Sequence, residues 1–155
     1  LKDQHFAQRL ADILASLSLP AECIHIEVTE NIAIMEEQAC VASLYRLSEL
    51  GVQLLLDDFG TGYSCLSYLK NLPFDVLKID KSFMPANNTI ASTIIAMGHE
   101  LDMEVVAEGI ETDMCYAMLK KLNCQYGQGY LFQRPVPASE FDIYKQYKCS
   151  VPELA

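Results

Sequence analysis

Two hydrophobic periods take turns along this chain. Phe6, Leu10, Ile13, Leu14 and Leu17 recur at helical spacing, and Pro20 closes that segment. Ile24-His25-Ile26-Glu27-Val28-Thr29-Glu30 then alternates strictly, so Ile24, Ile26 and Val28 share one face of a strand while His25, Glu27 and Thr29 share the other. A helix is predicted from about Glu36 to Leu50, with Leu44 and Leu47 on its apolar side and Gly51 as its C-terminal cap. The second strand runs Val52 to Asp57, and a short helix follows the glycine turn from Ser64 to Leu69, with Pro73 ending the connection. Val76-Leu77-Lys78-Ile79-Asp80 is the third strand, and Met84 to Thr89 a polar loop. Ile90, Ile94, Met97 and Leu101 mark another helix before the fourth strand, Glu104 to Glu108. Thr112 caps a helix carrying Met114, Met118 and Leu122. Tyr126 to Phe132 is the fifth strand, stopped by Pro135 and Pro137, and Ser139 starts a last helix with Phe141 and Tyr144.

Strand and helix thus alternate five times without a linker, the mark of parallel βαβ units. A doubly wound sheet and a (β/α) barrel both produce it. The polar residues separate them: Glu27, Asp57, Lys78, Glu108 and Gln128 each fall at or near the C-terminal end of a different strand. An open sheet gathers ligand groups at one switch point, whereas in a barrel every strand contributes to one mouth. The expected fold is therefore an incomplete TIM-like (β/α) barrel. It has about five C-terminal strands with their helices over residues 1–147, and a tail at 148–155. A full barrel has eight strands, and the missing ones are expected upstream.

Composition narrows the function. The formal charge of −10 argues against a DNA- or RNA-polymer binder, and an acidic chain that handles phosphate needs metal ions to do so. No apolar run approaches the roughly 18 residues of a membrane span. The six cysteines (23, 40, 65, 115, 124 and 149) form no C-x-x-C pair and read as reduced, mostly buried thiols of a cytoplasmic protein.

The richest stretch is Asp57-Asp58-Phe59-Gly60-Thr61-Gly62-Tyr63. Adjacent acids at a strand mouth repel unless a cation or a donor lies between them, and the glycines let a ligand approach the backbone. Glu27, Asp57 and Glu108 are hard oxygen ligands for Mg²⁺ or Mn²⁺, and Asp58 is placed to bridge a second ion or orient a water. Lys78 is suited to holding a metal-bound hydroxide or to neutralising charge on phosphate, and Gln128 to hydrogen-bonding a ligand. Each residue alone has an ordinary structural use as cap, turn or surface ion pair; their shared position at one mouth points to a site. His25 and His99 have sufficient local roles; Tyr63, Tyr126 and Tyr130 could stack on a base, though packing is the use expected of most of them. Asp58-Phe59-Gly60 also spells the kinase metal triplet, but no H-R-D loop or glycine-rich nucleotide loop precedes it.

In order, Ile26–Glu30, Asp57–Ser64, Leu77–Phe83, Val105–Thr112 and Gly127–Phe132 resemble the motifs of the EAL domain family, bacterial cyclic-di-GMP (c-di-GMP) phosphodiesterases, from about residue 1 to 143. The resemblance implies metal binding at Glu27, Asp57, Asp58 and Glu108, with catalytic roles for Lys78, Asp58 and Glu108. It further implies a substrate contact at Gln128 and supporting roles for Glu30, which anchors the loop after Asp58, and Glu111. The implied reaction is two-metal hydrolysis of c-di-GMP to linear pGpG. The implied setting is a cytoplasmic homodimer, paired through the region after the Asp57–Ser64 stretch, fused to GGDEF or sensory domains, and in some cases the cytoplasmic part of a membrane-anchored sensor. Two departures matter: the Glu-Ala-Leu tripeptide and the family's metal-binding Asn do not occur in the chain. The isolated chain is accordingly expected to be inactive and to self-associate through open strand edges. The alternative reading is a degenerate, non-catalytic EAL domain that senses c-di-GMP or binds a protein partner.

Overall fold

The apolar runs become strands and the helical periods become helices in the order expected. The computed structural model describes residues 3, 5–33, 38–60, 69–84, 88–137, 139 and 140. Helix α1 (Phe6–Leu17) ends where Ser18 turns left-handed at φ 51°, and β1 (His25–Thr29) follows after a single 3-10 turn. Then come α2 (Glu30–Ala33), α3 (Gln38–Leu50), β2 (Gln53–Phe59), β3 (Val76–Ile79), α4 (Asn88–Glu100), β4 (Glu104–Ala107), α5 (Asp113–Lys121) and β5 (Tyr126–Gly127). Thr112 caps α5 as expected, its hydroxyl accepting from Cys115 N. The helix expected from Ser64 lies outside the described residues apart from Leu69. So do Tyr63, residues 85–87 of the polar loop, and the last helix beyond residue 140.

All four strand pairings are parallel, and the spatial order β1-β2-β3-β4-β5 is the sequence order. A doubly wound sheet reverses direction at a switch point. A sheet that advances in one direction is a sector of a barrel.

The register sorts the side chains onto two faces. Leu54, Leu56, Leu77, Ile79, Val105 and Ala107 are fully buried against the helices, in one cluster with Leu44, Leu47, Ile95 and Leu119. The opposite face follows from the pairings Glu27–Leu55, Leu55–Val76 and Lys78–Val106. Because successive residues alternate sides, Glu27, Asp57, Lys78 and Glu108 all fall on this second face. Hydrophobic packing of one side thus delivers the polar residues to the other.

Two strands differ from expectation. β2 does not stop at Asp57 but runs on through Asp58 to Phe59, whose side chain is buried in the core. β5 covers only Tyr126–Gly127, and Tyr130 to Phe132 turn instead of extending. Among the described cysteines, all of them free thiols, Cys40 and Cys124 are buried, whereas Cys23 is exposed. No helix among the described residues is long and apolar enough to cross a membrane.

Candidate active site

At the C-terminal ends of the strands, four of the expected residues meet. Lys78 Nζ lies 2.7 Å from Glu27 Oε1, 3.0 Å from Asp57 Oδ1 and 2.7 Å from Glu108 Oε1. Carboxylates from β1, β2 and the end of β4 therefore converge on a lysine of β3 that is only 5% exposed. A buried ammonium without partners would cost several kcal/mol. Burial by itself would lower the lysine's pKa, but the hydrogen bonds to Glu108, Glu27 and Asp57 outweigh it and hold the ammonium above the usual lysine value. Its partners thus favour the charged form of Lys78.

Backbone geometry explains how Asp57 reaches this rim with Asp58 beside it in the chain. Leu56 pairs with Leu77 and Phe59 with Ile79, so Asp57 and Asp58 together stand opposite Lys78 alone. That is a β-bulge, a device that re-aims side chains beside active sites. Asp58 takes up the extra residue in the left-handed region, φ 57°, at a cost of order 1 kcal/mol, and is exposed. The bulge is held from behind. Glu30, 1% exposed, accepts a hydrogen bond from Gly60 N at 3.0 Å through Oε2. On the other flank Glu108 N donates to Ile79 O at 3.1 Å, extending the β3–β4 ladder to the carboxylate.

Gln128 does not join the lysine cluster. It lines a neighbouring cleft of about 190 Å³ with Glu108, Gly109, Glu111, Gly129, Lys81 and Tyr130. Glu108 is the residue common to both. The cleft's Lys81–Gly109–Glu111 wall also borders a hollow of about 360 Å³ lined further by Thr112, Met84, Met114, Cys115 and Met118. The glycines beside Gln128 serve packing: a side chain at Gly129 would overlap the Ile110 backbone. Gln128 N and O bond to Ala107 O and Ile110 N at 2.8 and 3.1 Å, fixing the residue beside β4.

Sequence reasoning passed over Lys81 and weighed base stacking for Tyr130 while favouring packing for most of the tyrosines. Tyr130 is 53% exposed on the cleft, with the Arg134 guanidinium 4.5 Å from its ring centre. The signal was the Tyr130-x-x-x-Arg134 spacing, which in a turn brings the two together.

Among the described residues no group of three or more His, Cys, Asp or Glu side chains is gathered so as to hold an ion. The carboxylates gather on Lys78 instead. Their chemistry still suits a hard divalent cation: every donor is oxygen, and three carboxylates around one ammonium leave the rim with surplus negative charge.

Fold and rim together define a (β/α)-barrel sector with an acid–lysine cluster at its strand ends. The chain belongs to the EAL domain family, which it matches over residues 1–135. It is 45% identical over 137 residues to the cyclic di-GMP phosphodiesterase NbdA of Pseudomonas aeruginosa, covering 84% of this chain and 18% of NbdA. It is 42% identical over 129 residues to MucR of the same organism, a bifunctional diguanylate cyclase/cyclic di-GMP phosphodiesterase, covering 79% of this chain and 19% of MucR. The structure of the MucR phosphodiesterase in complex with c-di-GMP superposes with a TM-score of 0.84 at 38% identity, covering 88% of this chain and 64% of that one. A calcium/c-di-GMP complex of BlrP1 from Klebsiella pneumoniae superposes at 0.76 with 32% identity, covering 83% of this chain and 34% of that one. The chain spans about a fifth of the length of NbdA and MucR.

Proposed function

We propose that this chain carries the C-terminal part of the catalytic site of a c-di-GMP phosphodiesterase. The observation that carries the reading is the ring of Glu27, Asp57 and Glu108 around Lys78, each carboxylate within 3.0 Å of Nζ. NbdA and MucR are phosphodiesterases of this substrate, and the MucR structure holds it. A phosphodiester is an anion, and an acidic rim accepts it only with cations between them. Glu27, Asp57, Asp58 and Glu108 would hold Mg²⁺ or Mn²⁺, two ions in the complete domain; the BlrP1 calcium complex supports a divalent cation. When bound, such ions polarise the phosphate and make a coordinated water acidic.

The chain's own residues do the remaining work. Lys78, held protonated, is a fixed positive charge beside the charge developing on phosphate, not a base. Asp58 accepts the proton of the attacking water. Water oxygen bonds to phosphorus, one P–O3′ bond breaks, and the leaving oxygen takes a proton to become a 3′-hydroxyl. The product is linear pGpG with a 5′-phosphate, and one water is consumed. Gln128 binds the substrate beside the rim, Glu30 holds the loop after Asp58, and Glu111 supports the site. A cytoplasmic homodimer is the proposed setting, and the bifunctional MucR supports fusion to a diguanylate cyclase domain.

Release of pGpG from c-di-GMP by the full-length protein with Mn²⁺ tests the reading. Glu27→Ala and Asp57→Ala are expected to lower the rate by at least about tenfold. No pGpG from the unaltered protein overturns catalysis, and tight binding without turnover identifies the non-catalytic sensor instead.

A further inference from the structure

After β3 the chain makes a tight 3-10 turn, Lys81–Phe83. Asp80 caps it: its carboxylate accepts from Ser82 N at 2.9 Å, and Phe83 N and Met84 N bond back to Asp80 O and Lys81 O at 3.1 and 3.0 Å. The turn touches a glycine on each side. Phe83 covers Gly60, where an added Cβ would stand 3.1 Å from the Cε2 and Cζ atoms of the ring. Lys81 covers Gly109, where an added Cβ would overlap the lysine's own Cβ and lie 3.2 Å from its Cα. Both glycines have positive φ, 92° and 67°. Gly60 stands two residues after Asp58, and Gly109 directly follows Glu108.

We propose that the Asp80-capped turn is a wedge, with Phe83 and Lys81 as positioning residues. It sets the spacing between the Asp57–Asp58 bulge and Glu108 by pressing on the glycine that follows each. The proposal rests on the functional reading above. The turn is a packed body that both glycines abut. Side chains that orient metal-binding carboxylates in this way typically govern cation affinity by 10–100-fold. A turn that merely connects β3 to α4 would affect stability and leave cation affinity alone.

The test uses the full-length protein and two readouts: Mn²⁺ affinity from the electron paramagnetic resonance signal of free Mn²⁺, and kcat and KM for c-di-GMP. Phe83→Ala and Asp80→Ala are expected to weaken Mn²⁺ binding about tenfold or more and to lower kcat in proportion, with KM within about twofold. Asp80→Asn keeps an oxygen for Ser82 N and is expected to retain wild-type affinity. Leu14→Ala, a core truncation on α1 distant from the turn, is expected to lower thermal stability without moving Mn²⁺ affinity. If Phe83→Ala does not fold, the Asp80→Ala and Asp80→Asn pair decides. Wild-type Mn²⁺ affinity in Phe83→Ala or, failing that, in Asp80→Ala overturns the wedge while wild-type turnover keeps the functional reading. An unaltered protein that neither binds Mn²⁺ nor releases pGpG overturns both.

Discussion

Replacing Lys78 with Met removes the ammonium while keeping most of the stem's volume, and leaves Glu27, Asp57 and Glu108 facing one another. All three oxygens lie within 3.0 Å of Nζ, so no two are more than about 6 Å apart. Unit charges at ~6 Å repel by about 3 kcal/mol at an effective dielectric of ~20. Water reaches all three, since their side chains are 51%, 21% and 24% exposed, and about 1 kcal/mol per pair survives screening. Lost charge-assisted hydrogen bonds bring the net cost to about 3–5 kcal/mol, the usual range for breaking a buried pair. Urea titration of the complete EAL domain, followed by circular dichroism at a series of pH values, measures it. The lysine's pKa is raised on folding, so its contribution is complete below about 10.5, its ordinary value, and is lost as pH rises beyond that. The wild-type advantage should therefore be flat from pH 7 to 10 and then shrink by about 1.4 kcal/mol per pH unit. Equal stability of variant and wild type at pH 7, or a difference that stays constant to pH 12, would refute the paired-ammonium reasoning.

Three further outcomes are expected. Glu30→Ala should cost about 1–2 kcal/mol by stranding Gly60 N–H and should lower kcat, whereas Glu30→Gln keeps an acceptor and loses less, as thermal unfolding beside rate measurements will show. Gly129→Ala should destabilise by about 1–3 kcal/mol or more in chemical denaturation, because its Cβ meets the Ile110 backbone, which has no rotamer to give way. Burial raises the Cys124 thiol to about 11, so it stays neutral and shielded; at pH 8 peptide mapping after alkylation should find Cys23 labelled and Cys40 and Cys124 protected until the protein unfolds. The stability gained from burying the neutral Cys124 thiol is present below pH ~9 and fades as pH rises towards 11.

The central sheet was legible because its two faces make different demands. Alternation at Ile24 to Thr29 and the apolar run at 52–56 located β1 and β2, and parity alone placed Glu27, Asp57, Lys78 and Glu108 on one side. Paired acids suggested that β2 stops at Asp57; in fact the strand absorbs them as a bulge, because buried Phe59 keeps the chain in the sheet. Tyr130-Leu131-Phe132 has strand composition, yet the close approach of Gly129 to Ile110 turns the chain, and Phe132 N bonds to Gly129 O. Single-residue patterns do not encode such contacts between neighbouring loops. For the same reason the wall formed by Lys81 and Tyr130 was not foreseen, and Gln128 came out beside the lysine cluster, joined to it through Glu108. Cys23 is exposed because it ends a surface 3-10 turn ahead of β1, a position whose apolar neighbours, Ile24 and Ala21, take the inward places.

Anomalous diffraction at the manganese edge, from crystals of the complete domain soaked with Mn²⁺ and c-di-GMP, puts the cation–carboxylate–phosphate arrangement to the most direct trial. A manganese peak within about 2.5 Å of carboxylate oxygens of Glu27, Asp57 and Glu108, with a substrate phosphate beside it and Lys78 alongside, is the expected result. A bound substrate whose phosphate lies away from that rim, or manganese held by other residues altogether, would contradict it.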